Sequence, residues 1–212
     1  ALDRNQLVEQ LFGGQQPVAH SNVSPLDQIY SEKVRIYTFA PDKAADLLDS
    51  AGWSIMHNGI RHNSAGDRLS FTLMTTAGNK SRELVQQVLQ SQWRAVGIEV
   101  LIRNEPARVF FGETMTKRAN QGLSMYAWLS APESLPLTTL RSDNIPSASN
   151  GWSGQNYPGY ANPRMDDLID AIEIELDPNK RLPLWAELQQ LYATDLPALP
   201  LFFRAEAYFF PK

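Results

Sequence analysis

The sequence contains no cysteine. A disulfide framework, a thiolate metal site and a cysteine nucleophile are excluded, although a chain without cysteine fits a reducing or an oxidising compartment. Histidine is scarce: His20, His57 and His62 are the only three. A metal site built on the last two would need a third ligand that no spacing supplies, so no metal is expected. Long apolar runs are missing, and none approaches the roughly 18 residues of a membrane span. There is no basic cluster, and 19 Lys and Arg against 23 Asp and Glu leave a net charge of −4. A nucleic-acid surface is therefore not expected. Also absent are G-x-S-x-G, H-E-x-x-H, the Walker loop and G-x-G-x-x-G. Neither an enzyme nor a catalytic residue is expected, and no cofactor.

What is present is a globular composition. Hydrophobic residues make up 43% and charged residues 20% of 212 residues, which excludes a disordered chain and suffices for one substantial core or two small ones. Both ends read as cut from something longer. "ALDRNQLVEQLFGG" has no initiator Met and no signal-like region. It is already a helix, with Asp3 able to cap it, Leu7, Val8, Leu11 and Phe12 along one side, and Gly13 able to stop it. At the other end, Leu199, Leu201, Phe203, Ala205 and Ala207 alternate with their neighbours as in a strand that leads into Phe209 and Phe210.

Between the ends the element types alternate. "PDKAADLLDSAGW" predicts a short helix with Ala44, Leu47, Leu48 and Ala51 on one side and Gly52 as its stop. Asn58-Gly59 lies between short β-like runs and predicts a hairpin. Leu69, Phe71 and Leu73 alternate with polar neighbours as a strand, and Leu84, Val85, Val88, Leu89, Trp93 and Val96 form a helical stripe ended by Gly97. Ile98, Val100 and Ile102 alternate again. Strand, helix and strand with short connections predict a βαβ unit with a parallel pair, Leu69–Met74 beside Ile98–Arg103. A shorter helix follows in 106–121, and "LSMYAWLS" (123–130) is a third strand candidate.

Residues 131–163 hold five prolines, three glycines, Trp152, Tyr157 and Tyr160. So long an irregular stretch is uncommon unless it has a role. Asn162-Pro163 and Asp177-Pro178 then each start a helix, pairing a capping side chain with proline at the first helical position. Met165, Leu168, Ile169 and Ile172 point inward from the first. Leu182, Trp185, Leu188, Leu191 and Tyr192 do so from the second, which Pro183 either kinks or delays. Asp166, Asp167 and Asp170 fall in the first turns of their helix and are read as complementing its dipole rather than as an acidic site.

One constellation bears on binding. Trp128 lies near a strand end, followed by small and polar residues and then Glu133 between turn formers. An aromatic wall with a few polar groups suits a small-molecule cleft. A buried Trp beside a solvated Glu fits the same residues equally well.

Several segments resemble, in one order, a known family. They are "ALDRNQLVEQLFGGQQPVA", "AADLLDSAGW" with "NGIRHNSAGDRLSFTL", "LQSQWRAVGIEVLI", "GYANPRMDDLIDAI" and "RLPLWAELQQLYATDLPALPLF". Together they are similar to the C-terminal lobe of family 5 extracellular solute-binding proteins, the dipeptide, oligopeptide and nickel-binding class that serves ABC importers. The resemblance implies a periplasmic-binding-protein-like (type II) α/β lobe over 1–212, with a mixed sheet and flanking helices, and with 199–212 leading back toward a missing lobe. It implies capture of a peptide or related solute between two lobes for an ABC permease, in the periplasm or, lipid-anchored, outside a Gram-positive cell. The alternative is the solute-sensing half of a transcription regulator. A hydrolase ranks third.

Peptide-binding members carry an Asp three residues after the Trp that matches Trp128, where it pairs with the ligand's amino group. This sequence has Ala131 there. Glu133 is the candidate substitute, unless the ligand lacks that amine. Because ligands of open α/β sheets lie beyond strand carboxyl ends, the expected contacts are Trp128, Ser130 and Glu133 with Thr75, Thr76 and Asn79. The helix start at Asn79 offers N–H groups for an anionic ligand group.

Overall fold

Helix α1 (Arg4–Phe12) begins where Asp3 accepts the Gln6 N–H at 2.9 Å. It ends where Gly13 turns to φ +58° and donates to the Glu9 carbonyl, a left-handed stop that suits glycine. A computed structural model of the chain describes residues 1–205, so Phe209, Phe210 and the end of the expected terminal strand lie outside the described residues. The chain divides into two compact units within α1. The first comprises Ala1–Leu7 and Thr38–Trp128, and the second comprises Val8–Tyr37 and everything from Leu129 onward.

In the first unit, α2 (Pro41–Ser50) opens on proline and ends before Gly52, at φ +89°. Its expected apolar side is only partly covered: Ala44 and Leu48 are half-buried, none of its residues is fully buried, and Leu47 is 62% exposed. β1 (Ile55–His57) and β2 (Ile60–His62) form the antiparallel hairpin, with Asn58 and Gly59 both at positive φ as a two-residue turn of this kind requires. β3 (Ser70–Met74), α3 (Lys80–Arg94) and β4 (Glu99–Ile102) form the βαβ unit. β3 and β4 are parallel, with Ser70 opposite Glu99 and Leu73 opposite Ile102. The next helical stretch divides into α4 (Ala107–Val109) and a wider π-type turn over Phe110–Met115.

The third strand is shorter than expected. β5 (Leu123–Ser124) pairs in parallel with the end of β3, giving the order β4-β3-β5. One further rung follows, from Met125 N–H to the Met74 carbonyl at 2.8 Å. The Met125 carbonyl is then taken by the Thr75 hydroxyl at 2.7 Å, so a side chain takes over from the ladder and Trp128 falls beyond the strand. Parallel and antiparallel pairings are thus both present, in separate sheets.

The buried face of α3 is also turned from the expected stripe. Val85, Leu89 and, just past the helix, Val96 are buried, and Val88 and Trp93 are half-buried. Leu84 stands about 100° of helix away from Val85 and is 49% exposed. Gln86 is fully buried instead. At the edge of the sheet, Gln90 Nε2 donates to the Val100 carbonyl at 2.7 Å.

The second unit is built on α6 (Pro163–Ile174) and α7 (Pro178–Asp195), capped as expected by Asn162 and Asp177. Before them in the chain come α5 (Leu137–Leu140) and short 3-10 turns at Ser142–Asn144 and Ala148–Asn150. Met165, Leu168, Ile169 and Ile172 of α6 and Trp185 and Leu188 of α7 have no exposed surface. The second helix starts at Pro178 and continues through Pro183. Leu182 is an exception to the inward stripe at 46% exposure, lying toward the α6–α7 turn where Ile174 and Leu176 are also exposed. Arg164 joins the helices through a two-pronged contact with Glu187, at 2.7 and 2.8 Å. Asp166 accepts from the Ser142 N–H at 2.9 Å and from its hydroxyl, and Asp170 pairs with Arg141. Both aspartates therefore hold the preceding loop. Of the two only Asp166 lies in the first turn of the helix, where it faces the positive end of the dipole; Asp170 lies about one turn further in. Where a final strand was expected from Leu199, the described residues hold a single antiparallel bridge, Val18–Phe202, flanked by hydrogen bonds from the Ala19 N–H to Leu201 and from the Phe203 N–H to Pro17.

Asn156 orders the proline-rich stretch. Fully buried, it donates to the Arg141 and Tyr160 carbonyls at 3.0 and 2.8 Å and accepts from the Tyr160 N–H. Beside it, Gly154 has φ +100°, and a Cβ there would stand 2.1 Å from the Asn144 carbonyl oxygen. Gly154→Ala should therefore cost about 2 kcal/mol or more, read as a lower midpoint in urea unfolding; an unchanged midpoint would show that this approach is not rigid.

Candidate ligand-contact residues at the strand ends

Neighbouring parallel strands bring their carboxyl ends to one edge of a sheet, the usual place for ligands in open α/β folds. In the first unit β3 and β5 are such neighbours. Thr75 and Thr76 follow one, and Met125 to Trp128 follow the other. Thr75 has no exposed surface; its N–H donates to Asn104 Oδ1 at 3.1 Å and its hydroxyl to Met125. Thr76, also buried, accepts from Arg82 Nη1 at 3.1 Å. Asn79 caps α3 by accepting the Arg82 N–H at 3.1 Å.

The start of α3 is partly occupied by the chain's own acid. Glu83 Oε1 accepts the Gly78 N–H at 2.8 Å and Oε2 meets Lys80 Nζ at 3.1 Å. The Gly78 N–H first, and Lys80 next, hold the Glu83 carboxyl below its ordinary range. An incoming anion therefore meets a carboxylate already placed against the positive end of the helix.

Beyond β5 an aromatic ladder runs outward. Phe110 is fully buried, Phe111 and Tyr126 are half-buried, and Trp128 is 42% exposed. Phe110 and Phe111 meet edge to face at 5.0 Å, Phe111 lies 6.0 Å from Tyr126, and Tyr126 meets Trp128 at 5.5 Å and 80°. Such edge-on contacts orient rings beyond the gain from burial alone. Trp128 is thus neither a buried core residue nor a loose surface one: its neighbours hold it while part of it stays open.

Thr75, Thr76, Asn79 and Trp128 belong to the first unit, and Ser130 and Glu133 to the second. Ser130 is exposed. Glu133, at φ +55°, donates its N–H to Asp27 Oδ2 at 3.0 Å and receives Arg181 Nη1 on its carboxylate at 3.0 Å. A ligand amine would compete there with a guanidinium already in place.

Two groups of residues escaped the sequence reading. Gln86 and Asn104 exchange amide hydrogen bonds at 2.9 Å in both directions, and Gln86 also donates to the Leu73 carbonyl at 3.0 Å. A glutamine between Val85 and Leu89 was the available signal. The others are Phe111 and Tyr126; Tyr126 stands two residues before Trp128, the spacing of side chains on one face of an extended chain. Among the described residues no group of three or more His, Cys, Asp or Glu is placed to hold a metal ion. No helix among them is long and apolar enough to cross a membrane.

These features define an α/β lobe of the type II periplasmic-binding-protein kind. A family model described as "Bacterial extracellular solute-binding proteins, family 5 Middle" matches residues 1–151, and the chain belongs to that family. The oligopeptide-binding protein AppA of Bacillus subtilis is 27% identical over 206 residues, 96% of this chain and 37% of its own length. The oligopeptide-binding protein of Thermus thermophilus, solved with a pentapeptide, is 33% identical with a TM-score of 0.88 over 96% of this chain and 36% of that one. Bacillus subtilis AppA, solved with a nonapeptide, is 26% identical with a TM-score of 0.82 over 95% of this chain and 39% of that one. The chain thus spans little more than a third of the length of these relatives.

Because the Thr75 hydroxyl holds the point where β5 leaves the sheet, Thr75→Val should lower stability by about 1 kcal/mol. Chemical denaturation checks this, and a neutral outcome would mean that the Met125 carbonyl finds another donor.

Proposed function

We propose that these 212 residues form the C-terminal lobe of the solute-binding component of an ABC importer, taking a peptide or related small solute in a cleft between two lobes. Closure about a hinge then presents the loaded form to a membrane permease. The observation that carries the reading is likeness along nearly the whole chain to a protein solved with a bound pentapeptide. The partly open, edge-braced Trp128 agrees with it as a contact surface. Within the first unit Trp128, Thr76 and Asn79 are assigned to the ligand, with Thr75 acting through the position of β5; Ser130 and Glu133 of the second unit are each assigned to it separately. The role is capture and not catalysis, in the periplasm or lipid-anchored outside a Gram-positive cell.

Glu133 bears on ligand choice. Its ion pair with Arg181 is partly exposed, so it contributes little stability and a ligand amine can displace it at small cost. The sensor half of a transcription regulator, the alternative, gains no support from the relatives named above. A signal peptide at the start of the open reading frame argues for transport, and a helix-turn-helix for regulation.

Calorimetry with a pentapeptide tests the proposal on the 212-residue chain and on a longer polypeptide of the relatives' length that contains it. A ligand bound at about 1 μM by the longer protein carries roughly −8 kcal/mol, and losing about half of the contacts leaves the shorter chain near millimolar. In the longer protein, Trp128→Ala should weaken binding about tenfold or more. Equal affinities for the two lengths would place the whole site within these residues and overturn the two-lobe reading.

A further inference from the structure

The two hairpin histidines stand together on one face. Ile55 lies opposite His62 and His57 opposite Ile60, so both imidazoles project from the same side of the ribbon. Their ring centres are 5.8 Å apart with planes at 82°. His62 Nδ1 lies 3.2 Å from the Ile60 carbonyl oxygen. A carbonyl oxygen only accepts, so in the neutral ring Nδ1 carries the proton and Nε2 keeps its lone pair. A backbone carbonyl on the far nitrogen is also what orients histidines toward a metal. His57 is exposed and His62 half-buried, so solvent and ions reach the pair, and the two-residue turn holds both strands in register.

We propose that His57 and His62 form a two-imidazole site for a borderline divalent cation such as Zn²⁺, Ni²⁺ or Cu²⁺, with water completing the coordination. Imidazole favours these ions over the hard, oxygen-seeking ones. With metal–nitrogen bonds of about 2.0–2.1 Å and a near-tetrahedral angle, two rings on one ion have centres roughly 5 Å apart, so from the 5.8 Å seen here a small rotation of the exposed His57 ring brings both onto one ion. Two guanidinium groups border the hairpin. Arg68, bridged to His62 through the backbone, directs Nη2 to Glu99 at 2.8 Å, and Arg94 donates to the Asn58 carbonyl at 3.1 Å. Each charge is turned to an oxygen acceptor, yet their presence makes the site weaker than a closed one. The inference is independent of the proposed function.

Zinc chloride alone is the probe, titrated into the chain and followed by calorimetry and by the histidine ring proton signals. Zinc should bind and perturb the His57 and His62 signals together. His57→Ala and His62→Ala should each lower the affinity at least about tenfold, and His20→Ala should leave it unchanged. His57→Gln, at an exposed position, gives the same loss without disturbing the turn, and circular dichroism verifies that each variant folds. No zinc binding up to millimolar concentration, unaltered binding in the hairpin variants, or an equal loss in His20→Ala would overturn the proposal.

Discussion

The side-chain amides of Gln86 and Asn104 bond to each other in both directions inside the first unit, and much of that unit is positioned through this pair. Gln86 comes from the middle of α3, Asn104 from just past β4, and their spare donor and acceptor reach the Leu73 carbonyl and the Thr75 N–H. A helix, the end of one strand and the exit from its neighbour are thereby fixed to one another. In a buried setting the arrangement is demanding, because removing either amide strands the polar groups of the other. The exit from β3 in turn sets Thr75, whose hydroxyl ends β5 and sends the chain toward Trp128. The exposed indole and the buried glutamine are thus two ends of one chain of hydrogen bonds and turns.

The second unit uses the same device. Gln189, fully buried on α7, donates to the Ile29 carbonyl at 2.7 Å and accepts the Ser31 N–H at 3.1 Å, holding an irregular segment against the helix. Asn156 does the corresponding work within the loop before α6. The second unit contains long stretches with little regular structure, whose buried backbone groups need partners. A few amides that both donate and accept supply them, and the apolar stripes of α6 and α7 supply the burial.

The parts of this fold that were legible in the sequence are those governed by local chemistry. Asn58-Gly59 can adopt the left-handed turn cheaply, and asparagine or aspartate before proline both caps and starts a helix. The switch between two-residue and helical periodicity marked the parallel pair and its helix. What was not legible depends on neighbours distant in sequence. Gln86 reads like Gln87 until Asn104 is placed beside it, and that pairing explains why the inward face of α3 turns away from Leu84. The third strand looked long because "LSMYAWLS" carries strand-forming residues, and only the Thr75 side chain shows why pairing stops at Met125. An amphipathic pattern in α2 identified a side that could be buried, but it could not report that Leu47 remains exposed. Of the candidate site, the position of Trp128 was legible from its segment, whereas the ring contacts that hold it and the Arg181 partner of Glu133 were not.

The bond from Gln90 to the Val100 carbonyl has a further consequence. β4 is an outer strand of its sheet. Its Glu99 and Arg103 N–H groups face β3, so by alternation the Val100 carbonyl faces outward, beside exposed Leu101 and Ile102. A free row of such groups is a template on which another chain can add a strand, and an apolar flank invites aggregation. With Gln90 already on the central carbonyl, a foreign strand would find that rung taken and would have to displace a side chain anchored to a helix. The residue that completes a hydrogen bond within the chain therefore also guards the sheet against growing by one more strand.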